Sequence, residues 1–351
     1  MSEAFWQHPL PQLSDDHLQR ARARQGELTK PPGSLGRLEE LACTLAAQQH
    51  RAQPGADRVH MSVFAADHGI AADGVSAFPQ EVTAQMVANF ASGGAAISVL
   101  ARTLGAELEV INMGVAHSLP DDTGVTSEWL APGTGNIAHE PAMTEHQASQ
   151  ALQAGDRAAA RAAEAEAELF IGGDMGIGNT SSAAALAALL LKGHPEDLVG
   201  PGTGLDSTGV ARKADKIGQA LQRHGNDDDA FRALASLGGF EIAALAGAMI
   251  GSSQRGIPVL VDGFIVTSAA LAAVRLRPDL RPWLHFSHES EEPGHQHLLR
   301  ALDARPLLDL GMRLGEGSGA AVAVSLLRSA CALHNRMATF SEAGVSDGES
   351  S

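Results

Sequence analysis

Cysteine is scarce in this 351-residue chain. Only Cys43 and Cys331 occur, both within apolar helical patterns, and no Cys-x-x-Cys pair exists for metal or redox work. A reducing cytoplasm is the compartment this usage fits. With no candidate catalytic cysteine and no Gly-x-Ser-x-Gly elbow, a hydrolase built around a covalent nucleophile is disfavoured. Basic residues are also in short supply, 25 Lys and Arg against 41 Asp and Glu, which leaves a formal net charge of −16. Such a field repels nucleic acid and anionic membrane surfaces, so neither is expected as a partner. An anionic small substrate stays compatible, because N–H groups and a few cations in a pocket outweigh a distant charge screened by salt. Long hydrophobic runs are missing as well. Residues 181–191 are too short to span a bilayer, and residues 1–9 lack the basic region and apolar core of a signal peptide. A soluble, cytoplasmic protein is the expectation.

What is present is 44% hydrophobic residues and 38 glycines, a composition that suggests close helix packing and many turns. The length allows about two domains, or one large domain with a smaller lobe. Residues 14–50 read as helical except at Leu28-Thr29-Lys30-Pro31-Pro32-Gly33-Ser34-Leu35-Gly36-Arg37-Leu38, where paired prolines and two glycines force an extended, turned segment. On spacing alone that segment reads as a linker. Residues 59–66 form a buried-type strand that ends at Asp67-His68-Gly69, the place where open α/β sheets collect ligands. Helical patterns follow over 81–90 and 95–104. Further strands are expected at 109–115, 169–171, 259–263 and 283–286, with an alanine-rich helix over about 145–168 before the third strand. Strands alternating with helices argue for an α/β fold, a parallel Rossmann-like sheet flanked by helices in three layers. The charge runs Asp227-Asp228-Asp229 and 164–168 read as a solvated loop and a solvated helix face.

The most informative stretch is Gly172-Gly173-Asp174-Met175-Gly176-Ile177-Gly178-Asn179-Thr180-Ser181, after the apolar run Leu169-Phe170-Ile171. A strand feeding a glycine-rich turn and a helix leaves unpaired N–H groups at the positive end of that helix, where a phosphate or carboxylate is stabilised. It matches neither the G-x-G-x-x-G fingerprint nor the P-loop. Read alone, it is either an anion cradle or a tight turn of purely structural use.

Three further glycine turns open helices, at 200–204, 238–239 and 315–319. Together the four suggest helix N-termini converging on one crevice. Lys213, on the helix after the second turn, is either a phosphate-reaching point charge or a solvated lysine. Asp262 ends its strand and either accepts from sugar hydroxyls or caps a helix. Glu316, framed by glycines at a helix start, either complements the helix dipole or acts as a general base, with basicity raised by a carboxylate such as Asp174. His285, His288, His295 and His297, interleaved with Glu289, Glu291 and Glu292, resemble a zinc cluster in composition. Their spacing matches no defined motif, and a polar loop beside the crevice is the favoured reading.

Several of these strings, in this order, resemble the nicotinate-nucleotide–dimethylbenzimidazole phosphoribosyltransferase family. They are Lys30-Pro31-Pro32-Gly33-Ser34-Leu35-Gly36-Arg37-Leu38, Ala66-Asp67-His68-Gly69, Val82-Thr83-Ala84-Gln85-Met86-Val87, Gly93-Gly94-Ala95-Ala96-Ile97, residues 175–180, Asp262-Gly263-Phe264, Ser287-His288 and residues 310–319. The resemblance covers roughly residues 28–340. It implies transfer of ribose 5-phosphate from nicotinate mononucleotide to 5,6-dimethylbenzimidazole, with inversion, in cobalamin lower-ligand synthesis. It implies a large α/β catalytic domain over about 40–330, a small helical lobe from residues 1–39 and 331–351, a homodimer, no cofactor and no metal. By matching motif, Glu316 would take the benzimidazole proton, and Gln85 and Leu314 would line the base pocket. Met175, Gly176, Ile177, Gly178, Gly202 and Lys213 would hold phosphate, with Asp262 also substrate-binding. The resemblance also recasts the proline-rich segment as an active-site wall. Many relatives are expected to carry Glu where this chain has Asp174, which withdraws that carboxylate by about one methylene and makes it site-lining rather than catalytic. The Lys- and Asp-rich loop expected of phosphoribosyl diphosphate users is not evident.

Overall fold

The computed structural model describes residues 4–120, 123–202, 204–225 and 229–346. Its centre is a six-stranded parallel sheet in the order β3-β2-β1-β4-β5-β6. The strands are β1 Val59–Ala66, β2 Glu107–Gly114, β3 Thr126–Ser127, β4 Leu169–Met175, β5 Val259–Val261 and β6 Leu284–Phe286. From β1 the chain builds outward to β2 and β3, then returns to place β4 on the other side of β1 and continues to β5 and β6. The order therefore reverses between β1 and β4, and open α/β sheets bind ligands beyond the strand ends at such a reversal.

All eight residues of β1 are buried, as a strand covered on both faces requires. Their alternation divides them between two cores. Phe64 and Phe170 join one with the helices Glu145–Glu164, Asn179–Leu191, Phe240–Gln254 and Phe264–Leu276. Met61, Val63, Leu169 and Ile171 join the other with the helices Ala96–Leu104 and Ser318–Arg336. On the first face, helices Glu145–Glu164 and Phe240–Gln254 lie close enough that a Cβ at Gly155 would overlap the Ala244 carbonyl oxygen, and one at Gly247 the Leu152 carbonyl oxygen. Here the glycine content serves packing rather than turns.

The register of β1 on β4 runs from Val59 opposite Leu169 to Ala65 opposite Met175. The two strands finish level, so the loop at 67–69 and the turn at 176–178 emerge side by side. Beyond the sheet, two short strands, β7 His288–Glu289 and β8 Leu308–Asp309, pair in parallel next to the same edge.

The chain ends meet. Leu28 and Thr339 form an antiparallel bridge, and Arg24 donates to the carbonyls of His334, Asn335 and Met337. The proline-rich segment is pinned by the Lys30–Glu39 ion pair at 2.9 Å. Its residues Pro32 and Gly33 line a groove with Leu18, Arg22 and Cys43, not the cavity described below. By composition alone Glu81–Leu104 is long and apolar enough to cross a bilayer. It is two helices, Glu81–Ser92 and Ala96–Leu104, parted at Gly93 with φ +87°.

The elements differ from the sequence reading in instructive places. β4 extends to Met175, because Gly172 and Gly173 stay extended where the sequence suggests a turn. β3, β7 and β8 have two residues each and no apolar run to betray them. The alanine-rich helix ends at Glu164, and Glu168 is buried, accepting from the N–H groups of Asp57 and Arg58 and from Arg51. It is an anchored carboxylate rather than a solvated helix face. Of the acidic run at 227–229, only Asp229 lies within the described residues, where it caps the helix Ala230–Leu237.

Candidate active site

A cavity of about 460 Å³ opens beyond the carboxyl ends of β1 and β4. Asp174 and Met175 reach it from the end of β4, Asn179 and Thr180 from the following helix, and His288, Ser290 and Glu292 from β7 and the loop after it. Gly315 and Glu316 enter just before the helix Ser318–Arg336. Val82 and Met86, with Phe78 and Leu314, supply an apolar wall suited to an aromatic ring.

Glu316 is the carboxylate most shaped by its backbone. Gly315, Glu316 and Gly317 adopt φ of +87°, +66° and +88°, three left-handed residues in a row. Glutamate rarely sits there, and such strain persists only where the surroundings enforce it. Enforcement comes from packing: a Cβ on Gly173 would overlap the Glu316 carbonyl oxygen, so β4 needs glycine for the loop to seat against it. The Glu316 side chain is 6% exposed and accepts from the Ile97 N–H at 3.3 Å, in the first turn of the helix Ala96–Leu104. Burial raises its pKa above the usual carboxylate range. The Ile97 N–H opposes that shift and the Asp262 charge adds to it.

Two more buried carboxylates surround it. Asp174 is pushed well up by burial, then by Asp262, Glu241 and Glu316, against the Asn179 amide that donates to it at 3.0 Å. Asp262 accepts from the N–H groups of Gly317 at 3.1 Å and Ala320 at 2.8 Å, which makes it a cap for the helix that follows Glu316. Its pKa is raised by burial and held back by His288 and those N–H groups. The cavity therefore concentrates carboxyl groups whose proton affinity is above normal, an environment that favours a positively charged or developing-cation partner.

Around the glycine turn the character changes. Lys213 is 1% exposed and donates to Thr180 Oγ1 at 2.8 Å. Burial lowers its pKa to about 8, opposed by Glu292. No carboxylate lies within ion-pair distance of its Nζ among the described residues. Its Nζ sits behind Thr180 and Gly202 and also donates to the Gly200 carbonyl at 3.5 Å. Glu292 is held above its usual pKa by burial, with Lys213, the Gly202 N–H and Arg313 opposing.

Most of the residues expected from sequence converge here. Glu316, Leu314, Asp174, Met175, Gly176, Ile177 and Gly202 all line the cavity. Gln85, Gly178, Lys213 and Asp262 do not. Lys213 acts from behind the wall and Asp262 through its cap, while Gly178 ends the turn with φ +99°. Gln85 is exposed, on the flank of the helix whose Val82 and Met86 face inward. Of the four glycine turns, that at 238–239 misses the cavity and packs under it, against His68. Thr203 in the second turn lies outside the described residues.

Sequence reading missed Thr180, His288, Ser290, Glu292 and Arg313 as lining residues. His288 and Glu292 belong to the polar loop at 285–297, and that loop does border the crevice, but its histidines part ways. His285 bonds Gln48 at 2.9 Å, and burial, with Arg281 and Arg37, lowers its pKa to about 4. His295 bonds Thr267 and the Ser290 N–H, and His297 is exposed. Among the described residues no group of three His, Cys, Asp or Glu side chains is placed to hold a metal ion.

Comparison with known proteins accords with this geometry. A family model described as phosphoribosyltransferase matches residues 10–345. A protein of Xanthomonas axonopodis pv. citri named nicotinate-nucleotide--dimethylbenzimidazole phosphoribosyltransferase is 61% identical over 93% of this chain and 94% of its own length. One of the same name from Pseudomonas putida is 56% identical over 99% of both. A crystal structure of CobT from Thermus thermophilus is 48% identical, with a TM-score of 0.92 over 95% of this chain and 100% of that one.

Proposed function

Because this chain belongs to the phosphoribosyltransferase family whose model spans residues 10–345, we propose that its cavity moves ribose 5-phosphate from nicotinate mononucleotide to 5,6-dimethylbenzimidazole. The products are α-ribazole 5′-phosphate and nicotinate, and the step belongs to cobalamin lower-ligand synthesis. The observation that carries this reading is Glu316, buried in a left-handed frame on the wall of a cavity that also holds an apolar face and a buried lysine.

The chemistry asks little beyond alignment. The bond from C1′ to the pyridinium nitrogen breaks and its electron pair returns to the ring, so nicotinate leaves without needing a proton. An imidazole nitrogen forms the new bond from the opposite face, which inverts the anomeric carbon. The proton on the other imidazole nitrogen goes to Glu316, whose raised pKa suits a general base. Positive character at C1′ faces the carboxylate of Glu316, with Asp174 lining the site beside it. The apolar wall with Leu314 takes the benzimidazole ring, with Gln85 at its flank. Met175, Gly176, Gly178, Gly202 and Lys213 take the 5′-phosphate, Ile177 lines the turn with its N–H bonded to Thr83, and Asp262 holds the base-bearing loop in place. No cofactor or metal enters these steps.

The same proposal divides the chain into a catalytic body of about residues 40–330 and a lobe from residues 1–39 and 331–351, supported by the contacts that join the two ends. It makes the protein a cytoplasmic homodimer. Incubation with nicotinate mononucleotide and dimethylbenzimidazole in chelator-treated buffer tests the reading: stoichiometric nicotinate and α-ribazole 5′-phosphate are expected. Absence of both products under all conditions would refute it.

A further inference from the structure

Thr83 lies in the helix Glu81–Ser92, is fully buried and does not line the cavity. A threonine inside a helix commonly bonds the carbonyl four residues back. Thr83 instead uses its hydroxyl outside its own helix. The Ile177 N–H donates to Thr83 Oγ1 at 3.1 Å, and Thr83 Oγ1 donates to Asp67 Oδ1 at 2.6 Å. The polarity is forced: an amide can only donate, so the hydroxyl accepts from Ile177 and its single proton is left for the carboxylate. Asp67 in turn has its second oxygen occupied by the Ala116 N–H at 2.8 Å. One oxygen atom thus ties the glycine turn after β4 to the helix whose Val82 and Met86 form the apolar wall, and both to the end of β1.

We propose that Thr83 is a positioning residue that sets the anion-binding turn in register with the base-binding wall. The inference rests on the reading of the cavity given above, with phosphate at the turn and the aromatic base at the wall. Gly176 and Gly178, on either side of Ile177, pack by backbone against Ala66 and His68, and the Ile177 N–H supplies the side-chain hydrogen bond that links this turn to the wall helix. The Ile177 N–H is also committed to Thr83 and is not available to phosphate. The transfer needs donor and acceptor aligned across this junction, and small misplacements of reacting groups are costly.

Thr83→Val keeps the volume and removes the hydroxyl, while Thr83→Ser keeps the hydroxyl. Leu45→Ala, a buried position in the helix Arg37–Gln48 that does not line the cavity, serves as the control for a general loss of stability. In transfer assays the valine variant is expected to lose about tenfold or more in kcat/KM with a raised KM for nicotinate mononucleotide, and the serine and alanine variants to stay within about threefold. Hydrogen exchange, which needs no turnover, should show faster exchange at residues 175–180 in Thr83→Val alone. Thr83→Cys substitutes for the valine variant should the latter not fold. A folded hydroxyl-free variant with unchanged exchange at the turn, or a serine variant as impaired as valine, would overturn the assignment. Loss of transfer in the wild type, with the exchange pattern as expected, would count against the substrate reading instead.

Discussion

Glu316 and Asp174 are neighbours with different prospects. Glu316 touches one N–H and the cavity, so its raised proton affinity is available for chemistry. Asp174 is buried beside three other carboxyls, those of Asp262, Glu241 and Glu316, and its folded pKa is raised well above its unfolded one. A group shifted in that direction stabilises the fold at low pH, and its contribution is lost as pH rises through the folded value. Asp174→Asn does not titrate and can still accept from Asn179. Its thermal midpoint relative to wild type should therefore climb as pH rises above the ordinary aspartate range; a pH-independent difference would contradict the raised proton affinity. Glu316 was legible because flanking glycines mark a backbone no ordinary helix start requires. The helix-capping alternative for Asp262 was legible too, but the first N–H it accepts, that of Gly317, lies 55 residues later, beyond what local sequence can reveal. His288 and Glu292 were hidden in a histidine-rich loop whose composition pointed toward metal and whose side chains scatter.

At the scale of elements, the turn at 176–178 shows how packing and binding share residues. A Cβ on Gly176 would overlap the Ala66 carbonyl oxygen and crowd the His68 ring. His68 is itself fixed between Glu241 Oε1 at 2.6 Å and Ser182 Oγ at 2.9 Å. Gly176→Ala is therefore expected to lower the denaturant midpoint by the equivalent of about 1–3 kcal/mol. An unchanged midpoint would show that the strand end can move aside. Weaker nucleotide binding by this variant would report on a displaced strand as much as on a lost phosphate contact. The sequence announced the strand, the glycines and the helix, but ended the strand at Ile171 where it runs on through Gly172 and Gly173 to Met175. Which carbonyls and rings the glycines accommodate depended on β1, more than a hundred residues earlier.

At the scale of the whole molecule, alternation of apolar runs with helical patterns predicted a parallel sheet, and the sheet is parallel. The strand order is carried by long-range packing and not by any local string, so the reversal between β1 and β4 emerged only with the structure. That reversal lets segments from Phe78 to Glu316 meet in one cavity while the net charge of −16 lies over the molecule as a whole. The central claim is that this assembly exists to place a base of raised proton affinity against a nucleotide. The most direct test is the pH dependence of transfer from nicotinate mononucleotide to dimethylbenzimidazole by wild type and Glu316→Gln. The wild-type rate should fall on the acid side with an apparent pKa above the ordinary glutamate range, because only ionised Glu316 accepts the proton. The glutamine variant should be slower by a factor on the order of 10² or more and lack that limb. Near-normal turnover by Glu316→Gln would contradict the account.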